Sequence, residues 1–466
     1  MNFLSFENAK RGKQMKRAAL HNLGCKVNEY ETEAMQELLE EDGYTIVPFG
    51  EEADLYLINT CSVTNIADRK SRQMIHRARS LNPDAIVVAA GCYVQTGADE
   101  LMKDRTVDII IGNNKKNDLI PEVHKLIEAR EEQKNLKQSG GEADDFALEQ
   151  LSDIVDVNRV ELGFENLKRK KTGEKSRAFL KVQDGCNQFC SYCIIPYARG
   201  RVRSKSMEEV AAEVKDLVTA GYKEFVITGI HLDSYGQGTE YGLIDLVEKI
   251  SGIQGVERIR FGSVEPRIIT KEFVDRLVKI PQICPHFHLS LQSGCDRTLK
   301  RMNRKYTAAE YREGVRLLRE AFDDPAITTD VIVGFPGETE EDFEECSTFL
   351  EEIGFYEMHV FKYSRRKGTP ADRMPQQHTD KTKTARSHVL LEMSKRQSEE
   401  FRLRRRGKTD TILVEEREVI NGREVWVGFT REYVRMAVDS DLDLKNQLVT
   451  GEVSGMLNEE VMLLRV

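Results

Sequence analysis

The sequence has no long hydrophobic run. None of its segments approaches the roughly 18 apolar residues of a membrane-spanning helix. Its first residues, MNFLSFENAKRGKQMKR, contain no sustained apolar region of the secretory type. Both absences predict a cytoplasmic protein with no membrane segment. The organised sequence begins near Met15, so residues 1–15 are expected to be a loose extension.

The sequence also lacks a disulfide framework and an overall excess of positive charge. Its nine cysteines are an odd number in a long chain without a secretory signal, which indicates reduced thiols. The net charge is −9, which argues against general coating of nucleic acid. Basic charge is local, because residues 362–408 hold 15 Lys and Arg against 5 Asp and Glu. That segment favours contact with a polyanion such as RNA.

Strand-like and helix-like segments alternate through most of the chain, which predicts an α/β protein with parallel sheets. We predict an N-terminal α/β domain at 16–130 and a polar linker at 131–176, with a short docking segment around Leu151–Phe164. Six β/α units at 177–400 predict a partial barrel, since a closed one needs eight. Short β-rich runs at 401–466 predict a small OB-like β-barrel, a frequent nucleic-acid binder.

Three cysteines in the loop after the first barrel strand give the strongest chemical signal. Cys186, Cys190 and Cys193 follow a C-x3-C-x2-C spacing in KVQDGCNQFCSYCIIPYARGR. Three thiolates can hold three corners of a cubane iron–sulfur cluster and leave one iron open to a small molecule. A structural zinc site would need a fourth ligand, and the next downstream candidate is His231. A redox pair of Cys190 and Cys193 would leave Cys186 unused.

A second set of three cysteines ends successive strands of the N-terminal domain. Cys25, Cys61 and Cys92 lie in LGCKVN, INTCSVTN and AGCYVQ. The carboxyl ends of parallel strands share one edge of a sheet, so these thiols are expected to converge there. Their polar neighbours suit a second cluster. The alternative is that all three are small buried residues, as cysteines often are.

Together these motifs resemble the radical S-adenosylmethionine (SAM) enzymes and, within them, the methylthiotransferases. The likeness rests on LGCKVNEYETE, NTCSVT, AGC, DGCNQFCSYCIIPYARGR, HLSLQSG and VGFPGE, and it covers nearly the whole chain from Met15. It implies two 4Fe-4S clusters, one on each cysteine set. The barrel cluster would cleave SAM to a 5′-deoxyadenosyl radical. The other would carry a sulfur methylated by a second SAM. The C-terminal barrel would be a TRAM-like RNA-binding domain.

Motifs at the strand ends supply candidates for holding SAM. The segments ITGIH, FGSVEP, LSLQSG and VGFPGE carry glycine turns and polar tips on the expected barrel face. The candidates for SAM binding are Tyr192, Gly229, Ser263, Glu265, Gln292 and Ser293. Gly229 would otherwise only end a strand, and Glu265 would only cap a turn. His286 and His288 alternate on one strand and share a face, where a structural and a catalytic role are equally open.

The first motif distinguishes three types of methylthiotransferase. LGCKVNEYETE resembles the type that modifies N6-threonylcarbamoyladenosine at tRNA position 37, whereas the isopentenyladenosine type would show a YGCQMN form and the ribosomal-protein type an LGCPKN form. We therefore expect methylthiolation of C2 in threonylcarbamoyladenosine. The other two types and a non-catalytic zinc- and RNA-binding module remain alternatives.

The same resemblance implies partners and a substrate contact. The partners would be the tRNA anticodon stem-loop and an electron donor of the flavodoxin or ferredoxin type, while the sulfur donor stays unidentified. Arg199, Arg201 and Arg203 follow the cysteine loop, and we expect them to pair with the carboxylate of the threonylcarbamoyl group.

Overall fold

The computed structural model describes residues 16–138, 150–159, 162–167 and 176–466. The predicted extension at 1–15 and parts of the predicted linker lie outside these ranges. The described chain forms two compact units, one of residues up to 157 together with Leu167, and one of the rest. Within these ranges, no helix is long and apolar enough to cross a membrane.

The first unit is a parallel sheet covered by helices on both faces. The strand order is β2-β1-β3-β4-β5-β6, from β1 (Arg17–Asn22), β2 (Thr45–Ile46), β3 (Leu55–Thr60), β4 (Ile86–Gly91), β5 (Ile109–Ile111) and β6 (Leu151–Asp153). The helices are α1 (Lys26–Glu41), α2 (Asn65–Leu81), α3 (Cys92–Thr96), α4 (Ala98–Leu101) and α5 (Leu119–Gln138). β3 and β4 are buried throughout, because an apolar core lies on each face of the sheet.

The second unit contains a partial barrel of seven parallel strands, together with one short antiparallel pair. The strands are β7 (Arg177–Lys181), β8 (Gln183–Asp184), β9 (Arg203–Ser204), β10 (Glu224–Thr228), β11 (Arg258–Phe261), β12 (Ser263–Val264), β13 (His286–Leu289), β14 (Ala326–Val333) and β15 (Glu357–Lys362). They build the sheets β11-β10-β7 and β12-β13-β14-β15, while β8 and β9 form a separate antiparallel pair. The predicted α/β class with parallel sheets is confirmed.

Helices cover one face of these strands. The helices of this unit are α6 (Ile195–Arg199), α7 (Met207–Thr219), α8 (Leu243–Ser251), α9 (Lys271–Leu277), α10 (Asp296–Arg301), α11 (Ala308–Ala321), α12 (Glu340–Ile353) and α13 (Asp380–Leu403). Of these, α7, α8, α9, α11, α12 and α13 place side chains in the core against the strands. Alternate strand residues such as Ile227, Ile259 and Leu289 pack in the core with helix residues such as Leu217 and Leu318. The other face of the strands is inner and largely polar, which follows from the period of two along a strand.

The C-terminal segment forms a closed five-stranded barrel, as its short β-rich runs predict. Its strands are β16 (Thr409–Ile420), β17 (Arg423–Phe429), β18 (Arg435–Val438), β19 (Leu448–Met456) and β20 (Met462–Arg465). Their order is β16-β17-β18-β20-β19. The core includes Ile412, Trp426, Met436 and Val453. Trp426 donates its indole N–H to the carbonyl of Leu442 at 2.7 Å, so this aromatic belongs to the barrel wall.

The C-terminal barrel packs on the amino ends of the partial-barrel strands. Arg258, at the start of β11, donates to the carbonyl of Phe429 at 2.8 Å. Arg260 donates to the carbonyl of Arg431 at 2.9 Å and to Glu224 at 2.8 Å. These contacts occupy the amino end of the strands. The cysteine loop lies at the opposite, carboxyl end.

Candidate active site

The cysteine loop is held at its base by two short strands. β8 and β9 pair Gln183 with Ser204 and Asp184 with Arg203. Within the loop, the Cys186 amide donates to the carbonyl of Gly200 at 3.0 Å. The Cys193 amide donates to the carbonyl of Cys190 at 3.0 Å. The three cysteines line one cavity at the carboxyl end of the strands, where a parallel β/α fold places its ligands.

The cysteine donor set fits an iron–sulfur cluster. Burial raises the pKa of Cys186 to about 11, and it raises the pKa of Cys193 to about 12. Both thiols therefore have to release a proton when they bind iron. A cation lies beside one of the sulfurs, because Arg304 Nη1 is 3.2 Å from Cys190 Sγ. The loop thus supplies three thiolate ligands and a neighbouring positive charge.

The cavity lining also includes His231, Asp233, Glu265 and Arg304. Arg304 lies 2.8 Å from the Glu265 carboxylate, and His231 Nε2 lies 3.5 Å from it. Burial alone would raise the pKa of Glu265, but His231 and Arg304 hold it below its ordinary value. Burial raises the pKa of Asp233 to about 6, although His231 acts in the opposite direction.

The structure brings half of the predicted SAM-binding residues into this cavity. Tyr192, Ser263 and Glu265 line it together with the three cysteines. The other three candidates are not among its lining residues.

Those three have local structural contacts. Gly229 lies against Gln183 and Leu232, with no room for a side chain. The backbone of Gln292 pairs with β14, donating to the carbonyl of Asp330 at 2.8 Å. The fully buried Ser293 hydroxyl accepts a hydrogen bond from the Cys295 amide at 3.2 Å. These three residues therefore shape the strand ends beside the cavity.

His231, Asp233 and Arg304 line the cavity, although the sequence motifs did not predict that they would. The ITGIH motif could have indicated two of them, since His231 lies three residues after the end of β10 and Asp233 follows shortly after it. Arg304 lies beyond α10, in a segment with no motif of its own. Its proximity to Cys190 comes only from the tertiary fold, because 114 residues separate them along the chain.

The three arginines after the cysteine loop have different environments. Arg199 is fully buried and donates to both oxygens of Asp184 at 3.2 Å. Arg203 is buried and donates to the carbonyl of Arg199 at 2.7 Å. Arg201 is exposed, with its guanidinium 4.9 Å from the ring centroid of Phe189. Of the three, Arg201 is therefore the one that faces solvent.

The second cysteine set lies at the carboxyl edge of the first unit's sheet. β1, β3 and β4 are neighbours, and their register pairs Asn22 with Asn59 and Thr60 with Gly91. Cys25, Cys61 and Cys92 follow these strand ends within three residues. Gly24 has a φ of +109°, and a Cβ there would lie 2.8 Å from Cys61 Sγ. The strand ends are thus packed closely around these thiols.

A buried polar network surrounds the second cysteine set. Asn113 Nδ2 lies 3.6 Å from Cys92 Sγ, and its Oδ1 accepts from Lys116 Nζ at 2.8 Å. Lys116 is fully buried and lies 3.2 Å from Glu31. On the other side, Asn28 Nδ2 donates to the carbonyl of Thr60 at 3.0 Å. Thiols with such polar neighbours and an exposed member, Cys25, form a site that also fits a cluster.

Two family models match the chain. The Radical SAM superfamily matches residues 180–350, and the Uncharacterized protein family UPF0004 matches residues 17–112. The first covers the partial barrel with the C-x3-C-x2-C loop, and the second covers the sheet that carries the other three cysteines.

Curated relatives match over nearly the full chain. The threonylcarbamoyladenosine tRNA methylthiotransferase MtaB of Bacillus subtilis is 39% identical, with 93% of each chain covered. The protein of the same name from Aquifex aeolicus is also 39% identical, with 89% of this chain and 97% of that one covered. The tRNA-2-methylthio-N(6)-dimethylallyladenosine synthase of Pelotomaculum thermopropionicum is 35% identical, with 86% and 87% covered.

A solved structure shares the fold. The radical S-adenosylmethionine methyltransferase TsrM from Kitasatospora setae, with cobalamin and a 4Fe-4S cluster bound, superposes with a TM-score of 0.53. It covers 76% of this chain and 77% of its own at 16% sequence identity. At that identity, the likeness concerns the fold alone.

Proposed function

The chain belongs to the radical SAM methylthiotransferases, and we propose that it attaches a methylthio group to C2 of N6-threonylcarbamoyladenosine at tRNA position 37. The first motif, LGCKVNEYETE, supports this substrate. So do the relatives named for it, which share more identical residues with the chain than the relatives named for the dimethylallyl substrate.

The observation that carries the proposal is the presence of two three-cysteine sites in one chain. Each site lies at the carboxyl edge of a parallel sheet. Each supplies three thiols, one fewer than a closed four-ligand site needs. A methylthio transfer requires both activation of an unreactive carbon and delivery of sulfur, and a cluster held by each cysteine set would supply one position for each.

In the barrel site, Cys186, Cys190 and Cys193 would hold a 4Fe-4S cluster that supplies the electron for reductive cleavage of SAM. The chain's own residues would position the SAM molecule. Arg304 and Glu265 present a buried charged pair beside the cysteines. Ser263 adds a hydroxyl, and Tyr192 a ring to flank the adenine. We propose that Gly229, Gln292 and Ser293 shape the strand ends around them.

In the first unit, Cys25, Cys61 and Cys92 would hold a second 4Fe-4S cluster, which would supply the sulfur position that a second SAM methylates. Here the chain contributes orientation and charge. Cys25 precedes α1 and Cys92 begins α3, and the amino end of a helix favours negative charge. Asn113 reaches the Cys92 sulfur and connects it to the buried Lys116.

We propose that the substrate contacts the chain as the anticodon stem-loop of a cytoplasmic tRNA. The TRAM-like barrel and the exposed cation Arg201 are candidate RNA contacts, and phosphate contacts of this kind weaken with salt. The target adenosine has to leave its stack to reach the carboxyl end of the strands. The electron for SAM cleavage would come from a flavodoxin- or ferredoxin-type donor.

Nucleoside mass spectrometry after an in vitro reaction tests the function. Anaerobically reconstituted protein, with SAM, a reductant and sulfide, should convert threonylcarbamoyladenosine in tRNA to its 2-methylthio form. It should hold about eight irons per chain. The variant Cys25→Ala/Cys61→Ala/Cys92→Ala should hold about four irons and still release 5′-deoxyadenosine, yet form no methylthio product.

A matched control is Cys284→Ala, which removes a buried thiol that lies in neither site. It should keep both the iron content and the product. If the protein methylthiolates only isopentenyladenosine, it belongs to the isopentenyladenosine type instead. A colourless, zinc-loaded protein that accepts no iron would remove the radical mechanism altogether.

A further inference from the structure

Three polar side chains on neighbouring barrel strands form a group that the cysteine chemistry does not use. His288 lies on β13, Asp330 on β14 and His359 on β15. The parallel register pairs Asp330 with His359, and it pairs His288 with Thr328, two residues before Asp330. One polar atom from each of the three lies within 4.8 Å of the others. We call His288, Asp330 and His359 the inner triad.

The inner triad faces the helix-free side of the strands. The residues that alternate with it, including Phe287, Leu289, Val331 and Met358, pack in the core against the helices. Successive strand residues point to opposite faces. The inner triad therefore lies on the inner face of the partial barrel, the face on which the cysteine cavity opens.

The inner triad is close to that cavity. Ser290 follows β13 two residues after His288, which is one repeat of the strand, or about 7 Å. Ser290 lines the cysteine cavity, and its hydroxyl is 2.7 Å from that of Ser263, another lining residue. A molecule that reacts in the cavity and extends along the inner face would reach the inner triad next.

The inner triad offers both hydrogen-bond donors and acceptors in a partly fixed arrangement. His288 Nδ1 lies 3.0 Å from the Thr328 hydroxyl, and its Nε2 lies 3.4 Å from Asp330 Oδ2. The side chain of His288 is 14% exposed and that of Asp330 is 29% exposed. His359 is exposed and stacks on His288 with ring centroids 5.7 Å apart. Such a surface suits a polar ligand and not an apolar one.

We propose that the inner triad binds the N6 substituent of the target adenosine and selects a hydrogen-bonding substituent. The inference rests on the proposed function. C2 and N6 both lie on the Watson–Crick edge of adenine, so a base with C2 at the cavity directs its N6 group along the inner face. His359 donates to a carbonyl or carboxylate oxygen of a threonylcarbamoyl group, while His288, whose two ring nitrogens face Thr328 and Asp330, holds Asp330 in place. Asp330 accepts from the urea N–H or the hydroxyl of that group.

The selection follows from the cost of leaving polar groups unpaired once a bound ligand covers them. An isopentenyl group offers no hydrogen bond to the inner triad, so binding it would remove water from the His359 imidazole and the Asp330 carboxylate without replacing that water. Sites built to hydrogen-bond a substrate reject analogues that lack the matching group far more strongly than apolar pockets reject a polar analogue.

Kinetics on two anticodon stem-loop RNAs test the proposal, one with threonylcarbamoyladenosine and one with isopentenyladenosine at position 37. His359→Leu and Asp330→Asn should each lower kcat/KM for the threonylcarbamoyl RNA by about 10- to 100-fold and should not lower it for the isopentenyl RNA. His359→Gln, which keeps a hydrogen-bonding group, should retain most of the preference.

The matched control is His388→Leu, an exposed histidine of α13 outside the inner face, which should leave both values unchanged. Iron content and thermal unfolding are measured on every variant, and the exposed position of His359 makes unaltered folding the expected result. Variants that keep the wild-type preference overturn this inference and leave the proposed function standing. Wild-type protein that modifies only the isopentenyl RNA overturns both.

Metal analysis of the same preparations tests whether the inner triad binds a metal ion instead. One non-iron divalent ion per chain that is lost in His359→Leu would show that the inner triad binds a metal, and this would overturn its assignment to the substituent.

Discussion

Arg304 contacts a cysteine ligand in the cavity and would influence the cluster that this cysteine holds. Its guanidinium reaches Cys190 Sγ, the Glu265 carboxylate and the Tyr306 hydroxyl, at 3.2, 2.8 and 2.9 Å. Hydrogen bonds and positive charge at the ligand sulfurs stabilise the reduced, more negative state of a cluster. A single arginine would therefore affect how easily a cluster held by these cysteines accepts the electron for SAM cleavage.

We expect Arg304→Met to lower the reduction potential of the barrel cluster. Loss of one charge-assisted hydrogen bond of about 1.5–3 kcal/mol corresponds to roughly 60–130 mV for a one-electron couple. An electron paramagnetic resonance titration of the Cys25→Ala/Cys61→Ala/Cys92→Ala protein isolates this cluster. Lys305→Ala removes the neighbouring exposed cation and should leave the potential unchanged. An unaltered potential in Arg304→Met would contradict the assigned role.

At the scale of elements, the cysteine loop depends on one close backbone approach. Gly185 has a φ of +72°, and a Cβ there would lie 1.9 Å from the carbonyl oxygen of Arg201. Backbone atoms cannot move aside cheaply, because β8 and β9 hold both ends of the loop in register. The glycine before Cys186 in the DGC motif is thus required by the path of the loop.

Gly185→Ala should prevent assembly of the barrel cluster. The added methyl group displaces the loop, so iron content should fall from about eight to about four per chain, with loss of 5′-deoxyadenosine formation. Gly238→Ala is the matched control, since Gly238 has a similar φ of +87° and no atom within 4 Å of the added Cβ. It introduces the same backbone strain without the clash and should keep its iron. Full iron content in Gly185→Ala would contradict this account.

At the scale of the whole second unit, a buried ionic group joins the two barrels. Glu224 is fully buried, 2.8 Å from Arg260. Arg258 and Arg260 also donate to carbonyls of the C-terminal barrel. Burial alone would raise the pKa of Glu224, but Arg260, with Arg177 and Arg258, holds it below its ordinary 4.5. Removing this carboxylate would leave buried cations without their counter-charge.

Glu224→Gln should destabilise the second unit by about 3–5 kcal/mol, the usual cost of breaking a buried ion pair. The folded pKa is lowered, so the ionised Glu224 contributes stability above about pH 4.5, and this contribution is lost as the pH falls further. Thermal unfolding across pH 3–8 should therefore show a smaller acid dependence in the variant. The exposed Glu240→Gln is the control. Equal unfolding curves for both variants would contradict the prediction.

The sequence by itself determined the α/β class, the closed β-rich C-terminal segment and both cysteine sets. These features depend on local patterns. Hydrophobic periodicity predicts strands and helices, and a C-x3-C-x2-C spacing brings its thiols together within a single loop. Cys25, Cys61 and Cys92 needed one further rule, that parallel strands end at a common edge. That rule holds regardless of the details of packing.

Only the tertiary structure decided which polar groups meet. Arg199 follows the cysteine loop, yet it is buried on Asp184, whereas Arg304, 114 residues beyond Cys190, contacts its sulfur. His288 and His359 become neighbours through the register of three strands. Side-chain direction and strand register depend on packing among distant segments, which spacing along the chain does not encode. The family's chemistry was therefore readable from the sequence, while the surroundings of its sites required the fold.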